Sequence, residues 1–158
     1  MKALRQWLCD SCREVIFSPE DAWVEWLGHR DGGRTGFRIC HHQLATPEGF
    51  QSYSIFDAAS GRPNMHMNRL IGPNGLLRLM EMVEDQGSFS NSSGYRRVAN
   101  MKEFLELMRR VQIPHYEEAR QYIAAYQEDN FFEKDFERLQ VQELQAVIAR
   151  YGPDASTE

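Results

Sequence analysis

The spacing of apolar positions changes once along the chain. Up to about residue 57 apolar residues come in short runs separated by turn residues, and from about residue 75 they recur every three or four positions. The first pattern belongs to strands and the second to amphipathic helices. Trp23-Val24-Glu25-Trp26-Leu27 has the aromatic and β-branched content of a strand, and the Gly-rich stretch 28–36, with its Asp31-Gly32 step, reads as a turn. The returning strand is then 37–42. Its alternation puts Phe37, Ile39 and His41 on one face and Arg38, Cys40 and His42 on the other. A third run, 51–56, completes a small antiparallel sheet.

Residues 58–74 turn to Ser, Gly, Pro and Asn and read as a connecting loop, which a short helical turn near 67–70 would make compact. Behind a capping Asn74, the positions Leu76, Leu79, Met80 and Val83 mark a first helix. An exposed loop at 88–94 precedes Asn100 and Glu103, the signature of a capping box, and a stripe of Met101, Phe104, Leu105, Met108 and Val111. After Pro114, the residues Tyr116, Ala119, Ile123 and Tyr126 continue one face. A last helix carries Phe136, Leu139, Leu144, Val147, Ile148 and Tyr151 and stops at Gly152-Pro153. The pattern predicts an α+β fold, a small N-terminal sheet packed against a C-terminal bundle of three to four helices. The expected organisation is a β region over 1–57, a connecting loop over 58–74, a helical region over 75–151 and a disordered tail over 152–158, all in one compact unit.

Composition narrows the partners more than it names them. The net charge is −5, and the stretch from Glu117 onward holds ten acidic residues against four basic ones, so the first two thirds are close to neutral. Basic residues cluster only at Arg96-Arg97 and Arg109-Arg110, which argues against a nonspecific nucleic-acid surface and leaves a protein partner as the expectation. No run approaches the eighteen apolar residues of a membrane span, and the N-terminal residues reach Cys9 and Asp10 before a signal-peptide core could form, so the expected location is the cytoplasm. The methionines and Trp7, Trp23 and Trp26 are expected as core fillers.

Candidate chemistry concentrates in two short pieces. Cys9-Asp10-Ser11-Cys12 and Cys40-His41-His42 hold all three cysteines and two of the five histidines. A Cys-x-x-Cys turn directs two thiolates at one cation, and Cys40 with His42, two apart on a strand, project from one face to complete a Cys3His set of Cys9, Cys12, Cys40 and His42. His41 is the alternate ligand, brought in by a β-bulge or a one-residue shift, with His29 and His66 in reserve. Four protein ligands leave no open position for water, so the expected ion is a structural zinc. A thioredoxin-like redox role would need a βαβ frame that the strands after Cys12 do not supply. No complete catalytic motif is present.

Two resemblances bear on this reading. The order Cys-x-x-Cys, His41-His42, Asn64 and His66 resembles the HNH endonuclease family, which implies a metal-dependent nuclease, but His66 lies only two residues beyond Asn64 where that family places its last histidine a helical turn or more away. Trp7 to Cys12, Trp23 to Trp26, His41-His42 and the stretch 113–120 together resemble a group of uncharacterised bacterial proteins with an N-terminal Cys-x-x-Cys zinc-ribbon-like region. That resemblance implies a bacterial intracellular protein and supplies no activity. It also implies a further cysteine near the position held here by Ser52. The reading adopted is a non-enzymatic protein-interaction or regulatory module with a structural zinc, against the alternative of an HNH-like or other nucleic-acid-processing enzyme using His41, His42 and His66.

Overall fold

The computed structural model describes residues 6–28, 33–42, 64–83, 97–129 and 135–153. They are α+β, with small sheets in the N-terminal half and helices in the C-terminal half, as the apolar pattern predicts. They fall into two compact units divided between Gln112 and Ile113, so the first two helices share a unit with the strands. The strand expected at 51–56, the loop at 88–94 and the tail from 154 lie outside the described residues.

In the first unit, β1 (Trp7–Leu8) and β2 (Val15–Ile16) form an antiparallel ribbon on either side of the Cys-x-x-Cys turn. The main sheet contains β3 (Ala22–Gly28), β4 (Gly33–His41), β5 (Asn64–His66) and β6 (Arg97–Val98) in the order β5-β3-β4-β6. β3 runs antiparallel to both β4 and β5, while β6 lies parallel to the start of β4. The last contact corrects the sequence reading twice. β4 begins at Gly33, inside the expected turn, and residues 97–98, expected in the helical region, form a strand because Gly33 and Arg34 offer them a backbone ladder.

The register of β3 on β4 slips between Glu25 and Leu27, opposite Gly36 at φ +63°. Glycine is suited to that left-handed bulge position, and its N–H donates to the Glu103 carboxylate at 2.7 Å. Beyond the bulge the pairing is regular: Val24 faces Ile39, Trp23 faces Cys40 and Ala22 faces His41. The alternation expected for Cys40, His41 and His42 is therefore unbroken.

A 3-10 turn over Met67–Leu70 leads into α1 (Gly72–Val83), and α2 (Met101–Gln112) follows β6. Asn100 Oδ1 accepts the Glu103 N–H at 3.3 Å, one half of the expected capping box. Both helices are rotated relative to the predicted stripes. α1 buries Gly75, Leu79 and Met82 and leaves Leu76, Met80 and Val83 exposed. α2 buries Phe104, Leu107, Arg110 and Val111, with Phe104 edge-on to Phe37 of β4, and leaves Met101 and Leu105 exposed. Each helix carries apolar residues on more than one face, so periodicity alone does not choose the inward one.

The second unit contains α3 (Tyr116–Arg120), α4 (Ile123–Asp129), a 3-10 turn over Phe136–Arg138 and α5 (Val141–Tyr151). Tyr116, Ala119, Tyr126, Phe136, Leu144 and Val147 form its core, which follows the predicted faces. The expected last helix is broken at Leu139–Gln140, where the Gln140 N–H bonds back to the Glu143 carboxylate at 2.7 Å and starts α5 afresh. Asp129 at the end of α4 accepts from Arg150 and from the Tyr151 hydroxyl, tying the ends of α4 and α5 together.

The approach of α1 to the 3-10 turn yields a test. A Cβ at Gly75 would sit 2.1 Å from the Leu70 carbonyl carbon and 2.5 Å from its oxygen, both backbone atoms that cannot swing aside. Gly75→Ala is expected to destabilise the first unit by about 2 kcal/mol or more. All three tryptophans lie in that unit, so urea unfolding followed by tryptophan fluorescence reads the loss directly.

Candidate metal centre

Between β1 and β2 the chain closes into a knuckle. The Cys9 N–H donates to the Glu14 carbonyl and the Arg13 N–H to the Cys9 carbonyl, both at 3.0 Å, with Arg13 in the left-handed region at φ 66°. A turn this tight leaves the N–H groups of its middle residues facing inward, where they can donate to sulfur.

The knuckle sits on the edge of β4. Since β6 covers only Gly33 and Arg34 there, the backbone of Ile39 remains available, and Asp10 takes both of its groups. The Asp10 N–H donates to the Ile39 carbonyl at 2.8 Å, and the Ile39 N–H donates to Asp10 Oδ2 at 2.8 Å. The same carboxylate oxygen accepts from Arg110 Nη1 of α2 at 2.6 Å, and Arg110 Nη2 reaches the Leu8 carbonyl at 3.1 Å. Trp7 Nε1 closes the circuit on the Arg110 carbonyl at 3.1 Å. One aspartate thus joins the knuckle to both a strand and a helix, with the guanidinium buried.

Docked in this way, Cys9, Cys12 and His41 bring one ligand atom each to within 4.8 Å of one another, close enough to bind a metal ion. Among the described residues this is the one group of three or more Cys, His, Asp or Glu side chains that does so. Cys9 and His41 are buried and Cys12 is half-buried. Cys12 Sγ lies 3.4 Å from His41 Nδ1. In a tetrahedral N/S site, bonds of about 2.3 Å to sulfur and 2.0–2.1 Å to nitrogen set those two atoms about 3.6 Å apart, so the pair is already spaced for a shared ion.

The electrostatics divide the thiols. The Cys40 thiol and the N–H groups of Cys12, His41 and Ser11 bond to the Cys9 sulfur and, against its burial, hold its pKa down to about 3. Burial pushes Cys12 up, and the Cys9 charge adds to the effect. Cys40 is pushed up by its hydrogen bond to Cys9, then by burial and the nearby Glu25 carboxylate. Of the three thiols Cys9 is thus the one most readily ionised, beside two whose protons are held more tightly.

The other residues singled out in the sequence separate into different surroundings. Cys40 Sγ lies 3.3 Å from Ser11 Oγ and 3.8 Å from Glu25 Oε1, and Glu25 is ion-paired with Arg38. His42, first choice over His41 in the sequence reading, follows the pleat onto the Trp23 face of the sheet. Its ring meets Trp23 edge-on at 4.5 Å and stacks on His66 at 5.3 Å, and Trp23 Nε1 donates to His66 Nδ1 at 3.2 Å. The three histidines of the nuclease alternative are thereby split, His41 toward Cys12 and the other two toward Trp23. His115 lies in the second unit, where its Nε2 is 3.1 Å from Gln145 Nε2. Arg110, one of the few clustered basic residues, is committed to Asp10. His29 and Ser52 lie outside the described residues. The sequence reading gave Asp10 and Ser11 no role and Arg110 none at the metal centre; an arginine between Leu107 and Val111 on the inward face of a helix was the available sign, since such a position demands a buried partner.

Two outcomes follow from this geometry. Arg110→Ala leaves Asp10 in a half-buried position without its cation and is expected to cost about 3 kcal/mol in tryptophan-monitored unfolding, with weaker metal uptake. Because the raised Cys12 thiol must give up its proton to bind an ion, apparent affinity is expected to rise with pH, by about tenfold per unit for each proton displaced, and to fall on acidification; competition with a chromophoric chelator between about pH 6 and 8 measures the slope. Comparison of the chain with protein-family models, with curated proteins and with solved structures finds no match, and its chemistry is read from its own residues.

Proposed function

We propose that this chain is a non-enzymatic protein-interaction module whose first unit is held together by a structural zinc ion on Cys9, Cys12 and His41. The observation that carries the reading is the convergence of these three donors, two from the knuckle and one from the strand end on which it docks. Sulfur and imidazole donors suit zinc, and the burial of Cys9 and His41 suits a structural rather than a solvent-fed site. Zinc bound there supplies a rigid cross-link between elements about thirty residues apart and no redox chemistry. The chain's own residues prepare for it: backbone N–H groups hold the Cys9 thiolate, and Asp10 fixes the knuckle against β4.

The interaction half of the proposal is supported by apolar surface that the core of the first unit does not use. Leu77 and Met80 of α1 are 59% and 50% exposed, and Met101 and Leu105 of α2 lie open as well. Exposed apolar residues gathered on helices suit another protein better than a polar substrate or a nucleic acid.

Metal analysis of untagged protein is expected to find one zinc per chain, and chelation to lower the midpoint of the tryptophan-monitored thermal transition by ten degrees or more, on the order of a few kcal/mol. Cys9→Ser should behave as the chelated protein does. A metal-free wild type that is fully folded ends the zinc reading. For the partner, a photoreactive residue at Leu77 is expected to give a discrete cross-linked protein adduct in cells; a chain that stays uncross-linked removes that half.

A further inference from the structure

We infer that Cys40 is the fourth ligand, so that the centre is a closed Cys9, Cys12, Cys40 and His41 set and not a three-residue site with an exchangeable water. This rests on the reading of Cys9, Cys12 and His41 as metal ligands and adds the residue that decides their coordination.

The argument is one of reach. Cys40 Sγ lies 3.3 Å from Ser11 Oγ, inside the knuckle turn. Two sulfurs sharing a tetrahedral zinc at about 2.3 Å stand about 3.8 Å apart, so a fourth ligand has to come from a side chain that already borders the knuckle. Ser11 lies between Cys9 and Cys12, so its contact places the Cys40 sulfur against the turn that carries both of those thiols. Cys40 does not come within 4.8 Å of all three other donors, so its Sγ must move inward, a shift of the kind one rotamer change about χ1 supplies. As the bond to the metal forms, the Cys40 thiol proton leaves to solvent.

Consecutive residues of a strand point to opposite faces, which argues against Cys40 and His41 serving one ion. The knuckle removes the objection because it straddles the free edge of β4 and does not lie on either face. Ser11 touches the Cys40 side chain, Asp10 bonds the Ile39 backbone, and Cys12 touches the His41 ring. A ligand pair on the edge can be adjacent in sequence. Cys40 is also 1% exposed, so an open fourth position on that side would have little access to water.

Cobalt(II) substitution tests the assignment, because sulfur-to-cobalt charge-transfer intensity scales with the number of bound thiolates. Wild-type protein is expected to show tetrahedral d–d bands and three-thiolate intensity. Cys40→Ser should still bind cobalt, with that intensity reduced by about one third and zinc affinity at least tenfold weaker. Unchanged intensity in Cys40→Ser overturns the inference and leaves the three-ligand reading in place, whereas a wild type that takes up no cobalt or zinc overturns both. Zinc X-ray absorption on the wild type needs no variant: three sulfurs and one nitrogen support the assignment, and two sulfurs with added oxygen refute it.

Discussion

The hydrogen-bonded docking of Asp10 on Ile39 is the constraint on which the rest of the first unit depends. A Cys-x-x-Cys knuckle can form in many places, but its sulfurs become half of a metal centre only when another element brings further donors to them. Asp10 does this by taking both backbone groups of one residue at the edge of β4, which leaves its neighbours Cys40 and His41 beside the knuckle on either side. The cost of holding a carboxylate there is offset by Arg110, which also bonds the β1 backbone and so makes α2 a third wall of the same corner.

Around that corner the buried or half-buried carboxylates face arginines. The Cys9 thiolate is surrounded by N–H donors and a thiol, Asp10 faces Arg110, and Glu25 at the centre of the sheet faces Arg38. A small sheet with short flanking strands buries limited apolar area, and sites of this kind commonly add a metal to what the core supplies. The proposed ion fits that need, since it would join two ends of a short chain segment that the hydrogen bonds already hold in register. The helices contribute differently: α1 and α2 each give one apolar face to the core and keep another outside it, which is the material for a partner surface.

The sequence was most legible where one signal dominated. β3, the part of its hairpin partner from Phe37 on, the faces of α3, α4 and α5 and the stop at Gly152 follow from local pattern and turn chemistry, whereas the start of β4 at Gly33 and the strand β5 inside the expected 58–74 loop do not. It was least legible where two patterns overlapped. On α1 the predicted stripe of Leu76, Leu79, Met80 and Val83 and the buried one of Gly75, Leu79 and Met82 share only Leu79, and packing with the close approach at Gly75 selected the second. β6 could not be foreseen because two residues acquire strand geometry only from the partner that Gly33 and Arg34 provide.

The metal centre divides in the same way. That Cys9 and Cys12 would share a turn, and that Cys40, His41 and His42 would alternate along a strand, was determined by spacing alone, because chain geometry within a few residues leaves few choices. Which of those three would meet the knuckle was decided by tertiary structure. Alternation suggested that ligands must share a face, as Cys40 and His42 do. The knuckle instead approaches the edge, where it meets His41 with Cys12 and Cys40 with Ser11, and His42 is left to pack with Trp23 and His66. The edge was available because β6 is short, and Asp10 holds it; neither fact is local to the residues that carry the chemistry.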